Sequence, residues 1–169
     1  MNRKKVVEYG AIFAVLGLAA MIIGHTSIVI NGTNSLPHNG YIMWRTPHLL
    51  QTGRYVAFDT PEILKNKFEG ISFVKRVVGM PGDTISSDSA SVCINGQCRE
   101  LQKELVEAGY RELPSGPIPE GYIAVFGDAI NSLDSRYEVI GLISVSKVQA
   151  VGWPLKLPHW KELKQWFDQ

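Results

Sequence analysis

The chain has 169 residues, 45% of them hydrophobic, and a formal net charge of +1, so it lacks the basic excess of a nucleic-acid-binding protein. Its four histidines, His25, His38, His48 and His159, have neither paired spacing nor a cysteine or carboxylate partner, which excludes the usual metal-site patterns. After an apolar N-terminal segment, about 140 residues remain, enough for one domain.

Met1-Asn2-Arg3-Lys4-Lys5 is a positive cluster, and Val6 to His25 follows with Glu8 as its sole acidic or basic side chain before the final histidine. About 20 apolar residues span a bilayer core, and the positive-inside rule puts a short tail, residues 1–5, in the cytoplasm. Residues 6–25 are then a transmembrane anchor, in contact with membrane lipid, and residues 26–169 an extracytoplasmic domain. A cleaved secretory signal has the same outline, but no small-x-small cleavage site follows the apolar run.

Ser27 to Ile30 reads as a β-branched strand entering Asn31-Gly32-Thr33-Asn34-Ser35-Leu36-Pro37. A serine near a proline-limited turn can present its hydroxyl and amide together, which makes Ser35 a candidate nucleophile, with Thr33 two residues earlier on the same side of an extended chain. The same composition also describes an ordinary loop. Tyr41 to Trp44 and Gly53 to Phe58 read as strands, and Glu62 to Glu69 as one or two helical turns.

Phe73-Val74-Lys75-Arg76-Val77-Val78 is an apolar strand carrying two cations and ending in Met80-Pro81-Gly82-Asp83. Alternation puts Lys75 with Phe73 and Val77, and Arg76 with Val74 and Val78. If the Lys75 face is buried, desolvation lowers the amine's pKa and makes it a general base; Arg76 cannot lose its proton. Two cations protecting an edge strand are the alternative.

In Val92-Cys93-Ile94-Asn95-Gly96-Gln97-Cys98-Arg99 the Asn-Gly pair predicts a type I′ hairpin turn, with Ile94 opposite Gln97 and Cys93 opposite Cys98. Cys93 and Cys98 are therefore expected to form a disulfide, which belongs to an oxidising compartment. Arg99 to Gly109 suggests a short helix, Leu113 to Gly121 a proline-rich loop, Tyr122 to Phe126 a strand and Ile140 to Val151 a last β run. Trp160, Leu163, Trp166 and Phe167 recur at helical spacing, suiting either a packed terminal helix or an interfacial one.

Ser35-Leu36-Pro37 after an apolar helix, Lys75 to Asp83, and Gly127-Asp128 with Asn131-Ser132-Leu133-Asp134-Ser135-Arg136 resemble, in order and spacing, the successive boxes of the bacterial type I signal peptidases. The resemblance implies a mostly β catalytic domain, of β-barrel or sheet form, behind one transmembrane helix in the inner membrane and facing the periplasm. It implies a serine endopeptidase without cofactor or metal, acting on a protein precursor. Ser35 would be the nucleophile and Lys75 the base. Thr33 would help form the oxyanion hole, Ser132 would hold the lysine amine, and Asp134 with Arg136 would brace the site. An extended substrate adding beside Ile28 to Asn31 and beside the strand before Lys75 would meet Ile30, Leu36, Pro37 and Phe73.

Two departures bear on the substrate. The general enzymes read Ser-Met-x-Pro where this chain reads Ser-Leu-Pro, one residue shorter, and their large second subdomain has no room here. Both are similar to the TraF branch, the conjugative-transfer peptidases that mature a pilin and can cyclise it. A general leader peptidase and a non-catalytic membrane-anchored pilus-assembly factor are the alternatives.

Overall fold

The computed structural model describes residues 3–30, 35–38, 40–66, 68 and 70–155. Thr33, Asn31 and the helically spaced aromatic residues from Trp160 to Phe167 lie outside the described residues.

Helix α1, Arg3–His25, opens the chain. Its segment Val7–His25 is 19 residues long, with none of it buried against the domain, and is long and apolar enough to cross a membrane. Strand β1, Thr26–Ile30, follows without a connecting residue. The His25 ring stacks on Trp44, with 6.0 Å between centroids, and joins the helix end to the sheet.

The rest is β: β2 Gly40–Trp44, β3 Tyr55–Asp59, β4 Ser72–Gly79, β5 Thr84–Ser87, β6 Ser91–Ile94, β7 Gln97–Glu100, β8 Gly116–Pro117, β9 Tyr122–Phe126, β10 Ile143–Ser144 and β11 Val148–Leu155. The larger sheet has seven strands in the order β1-β2-β11-β3-β4-β9-β10, and the smaller four in the order β7-β6-β5-β8. All described pairings are antiparallel. This is the expected mostly β fold behind one apolar helix.

Burial follows the alternation read from the sequence. On one face of the large sheet Val56, Phe58, Val77, Ile123, Val125 and Val151 form one apolar cluster, with Phe73 packed against it. On the other face Tyr41, Met43, Tyr55, Ala57 and Ala150 form a second, joined by Leu36 and touched by Val29 and Val74. Each fully buried Val, Ile or Phe contributes about 1.5–3 kcal/mol relative to exposure. Val77 and Val78, successive on β4, face opposite sides of the sheet and so enter different cores. Val77 stays with the first cluster, while Val78 joins Ile85, Val92, Ile94, Ile118 and Phe126 of a third. Alternation thus lets one strand serve both cores, with a register shift against β9 following Val77.

The hairpin between β6 and β7 has the predicted register, with Ile94 opposite Gln97 and Cys93 opposite Cys98. Asn95 and Gly96 take φ of 51° and 74°, as a type I′ turn requires. The two cysteines are bridged, with Cα atoms 3.9 Å apart.

Several boundaries differ from the sequence reading. The helix expected over Arg99 to Gly109 is reduced to α2, Lys103–Glu107, because Arg99 and Glu100 are taken by β7. The run Ile140 to Val151 breaks into β10 and β11 around a 3-10 turn, Val145–Lys147, anchored by the Val145 amide donating to the Gly121 carbonyl at 2.8 Å. Over Glu62 to Glu69 the helical part is Glu62–Leu64.

Candidate active site

The site grows from β4. Lys75 stands on the first core's face between Phe73 and Val77, opposite Val56 of β3, and only 6% of it is exposed. Burial pushes its amine down from 10.5 to about 8, with the Asp134 carboxylate pulling the value up and the Arg136 guanidinium pushing it down. The Phe73 ring, 5.6 Å from Nζ, shields one side. Arg76, one residue on, points to the opposite face and half-exposed surroundings, where its Nη2 meets Asp128 Oδ1 at 2.7 Å. The strand therefore sorts its cations: one is desolvated and the other paired near water.

The Lys75 amine donates to Ser132 Oγ at 2.9 Å across 57 positions of sequence. Ser132 is itself buried, at 2% exposure, on the loop that follows β9. Arg136 shapes that loop from inside. Its Nη1 donates to the carbonyls of Glu100 at 2.9 Å and Ile130 at 3.2 Å, and its Nη2 to those of Ala129 at 3.0 Å and Ser132 at 2.9 Å. Its Nε meets Asp134 Oδ1 at 2.9 Å, and both side chains are fully buried. Asp134 accepts further bonds from the Gly127 amide at 2.7 Å, the Arg136 amide at 3.1 Å and Arg136 Nη2 at 2.9 Å. A buried ion pair is tolerable when its remaining donors and lone pairs are satisfied, as they are here.

Ser35 enters through its backbone. Its carbonyl accepts from the Asp128 amide at 2.8 Å and the Ala129 amide at 3.3 Å. Gly127 is the point of closest approach: a Cβ there would collide with Ser132 Oγ and Cβ and lie 3.0 Å from the Ser35 carbonyl. The residue before Asp128 must therefore be glycine for Ser35 and Ser132 to converge beside Lys75. Of the expected residues, Ser35, Lys75, Ser132, Asp134 and Arg136 come together in one place.

The expected substrate contacts divide. Ile30, at 57% exposure, ends β1, which is paired on the β2 side alone among the described residues. Phe73 is half-buried on the part of β4 that precedes its pairing with β9, so Ser72 to Lys75 keeps one margin unpaired among the described strands. Pro37 is exposed. Leu36, by contrast, is 6% exposed and packs with Tyr41, Met43, Tyr55, Ala57 and Ala150, so its side chain belongs to the core rather than to a substrate wall.

Three contributors had no assigned role in the sequence reading: Gly127, Asp128 and the Arg76 ion pair. A glycine closing a strand and followed by an acid was the signal available, but its meaning depends on partners 92 positions upstream and five downstream.

A model of the signal peptidase family, peptidase S26, matches residues 3–153. The chain belongs to that family. Membership fixes the enzyme class as a signal peptidase I-like serine peptidase, in agreement with the resemblance. Signal peptidase I S of Bacillus subtilis (strain 168) is 26% identical over 168 residues, covering 89% of this chain and 88% of the relative. A probable signal peptidase I-1 of Synechocystis is 34% identical over 93 residues, covering 53% of this chain and 46% of the relative, so the match spans about half of that protein. A crystal structure of a signal peptidase I from Enterococcus faecalis V583 overlaps with a TM-score of 0.38 at 25% identity, covering 60% of this chain and 95% of the other.

Proposed function

We propose that this chain is a membrane-anchored serine endopeptidase that releases exported proteins from their precursors, with Ser35 as nucleophile and Lys75 as general base. The observation that carries the reading is a buried lysine amine, low in pKa, bonded to Ser132 on the same loop whose amides hold the Ser35 carbonyl. α1 is the anchor, residues 1–5 the cytoplasmic tail, and residues 26–169 the domain on the far, extracytoplasmic side.

In this mechanism an extended substrate adds beside the open margins of β1 and β4, held by main-chain bonds. Neutral Lys75 takes the Ser35 hydroxyl proton as Oγ attacks the scissile carbonyl. The resulting ammonium delivers that proton to the departing amine, leaving an acyl-enzyme. Lys75 then takes a proton from a water as it attacks the ester and returns it to the departing Ser35 Oγ, which restores both groups. Ser132 aims the amine, and the Asp134–Arg136 pair holds the loop that carries Ser132. Thr33 and the Ser35 amide supply the oxyanion donors; one such donor contributes about 3 kcal/mol in comparable sites.

The narrower reading is maturation of a conjugative pilin, and the short Ser35-Leu36-Pro37 spacing is what favours it. There a pilin amine would replace water at the second step. The test for both is processing of precursors by the membrane-embedded enzyme, read by intact mass, with Ser35→Ala and Lys75→Ala alongside. Loss of processing in both variants is expected, and retention in both would remove Ser35 and Lys75 from the chemistry. A pilin product one water lighter than the linear chain would establish cyclisation, whereas efficient cleavage of many unrelated precursors would favour the general leader peptidase.

A further inference from the structure

We infer that Arg99, carried on the disulfide-closed β6–β7 hairpin, is a positioning residue for this reaction, acting through Asp128 on the carbonyl of Ser35. The inference rests on the Ser35–Lys75 reading and adds a third anchor to that site.

Asp128 is where the separate parts meet. Its amide holds the Ser35 carbonyl at 2.8 Å, and its carboxylate is drawn from two sides. Arg76, the residue after Lys75, reaches Oδ1 at 2.7 Å, and Arg99 approaches the same oxygen at 3.7 Å from the other sheet. Residue 128 is thus tied at its backbone to the nucleophile and at its side chain to the lysine strand and to the hairpin. Two cations on one oxygen localise it better than either alone, and the oxygen sits a few bonds from the amide that sets the Ser35 main chain.

The hairpin is built to deliver that arginine. On one side of Arg99, Cys98 is bonded to Cys93, and the Cys98 carbonyl accepts from Arg99 Nη1 at 3.2 Å, which fixes the aim of the guanidinium. On the other side, the Glu100 carbonyl accepts from Arg136 Nη1 at 2.9 Å, the same arginine that shapes the Ser132 loop. Arg99 is therefore bracketed by one covalent tie and one tie to the catalytic loop itself. An exposed pair far from the chemistry would have no reason for such bracketing.

The test uses the full chain in detergent or proteoliposomes with a cleavable precursor peptide. The series is Arg99→Lys, Arg99→Ala and Arg99→Glu, each with a melting temperature. We expect Arg99→Ala to lower kcat about fivefold with KM unchanged, the scale of one partly exposed ion pair. Arg99→Lys should stay within about twofold of wild type, and Arg99→Glu, which repels Asp128, should fall below alanine. In an Asp128→Asn background the same alanine change should cost nothing further, because the residue it acts through is already neutral. A Cys93→Ser/Cys98→Ser variant should lose activity in the same direction without loss of α1-dependent membrane insertion. A flat Arg99 series, or an alanine loss that lysine does not restore, or a loss that persists in full with Asp128→Asn, overturns the inference. Ser35→Ala is the control that separates the two readings: if it retains processing the assignment of Ser35 as nucleophile falls, and if it is inactive beside a flat Arg99 series only the positioning role does.

Discussion

If the rate depends on neutral Lys75, its pH dependence carries the signature of burial. With an amine titrating at about 8, about one molecule in eleven holds the free base at pH 7 and about ten in eleven at pH 9, so kcat/KM should rise about tenfold over that interval and level off above it. An ordinary lysine at 10.5 would instead give about a hundredfold rise with no plateau before pH 10. The same burial acts on stability. The folded-state value lies below the unfolded one, so between about pH 8 and 10.5 the unfolded chain binds more protons and stability rises with pH. Below that window the fold bears the whole cost of a buried ammonium, about 3 kcal/mol for the gap between 10.5 and about 8. Lys75→Met removes that cost and loses the bond to Ser132, worth about 1 kcal/mol, so the variant should be about 2 kcal/mol more stable than wild type at pH 7. The advantage should vanish at about pH 10 and reverse above it, where wild type keeps the bond to Ser132. The assays are precursor cleavage from pH 6 to 10 and denaturant unfolding of both proteins over the same range. A hundredfold rise without a plateau, or a stability difference that does not change with pH, would refute the account of Lys75 as a desolvated base.

Other outcomes follow from the packing around that amine. Gly127→Ala should lower kcat about a hundredfold, since its methyl would push Ser132 off Lys75 and the Ser35 carbonyl off its amides; cleavage kinetics with intact folding by circular dichroism would check it. Arg136→Met leaves the buried Asp134 carboxylate without its guanidinium partner and frees the loop carbonyls, so unfolding should cost about 3–5 kcal/mol less, read by denaturant midpoint. Reducing Cys93–Cys98 opens a very short loop and should cost only about 2 kcal/mol of stability, a small fall in melting temperature with the fold retained.

Local chemistry makes some of this legible in the sequence itself. Asn95-Gly96 set the turn, the turn set the register, and the register put the two cysteines opposite each other. Alternation along Phe73 to Val78 likewise separated Lys75 from Arg76, although it could not say which face was buried. The bond from Lys75 to Ser132 was a different matter. It spans 57 positions, and only the resemblance to a family, not periodicity or propensity, anticipated it. Leu36 is expected at the substrate but is buried with Tyr41 and Met43, a placement that depends on strands far along the chain. Gly127 and Asp128 were seen as a motif without a task, since their work is to fit partners that the sequence keeps far away. Arg99 gave no signal at all, for a cation at the end of a hairpin strand looks like any solvated side chain.

The direct passage from α1 into β1 has a geometric consequence for what can be cut. No flexible tether separates His25 from Thr26, and the five residues of β1 cover at most about 17 Å. With α1 across the bilayer as proposed, the direct junction of helix and strand keeps the domain close to the lipid. A precursor would then be selected partly by distance: a bond a short way outside its own membrane-spanning segment comes within reach, and the same residues placed much farther out along the chain do not.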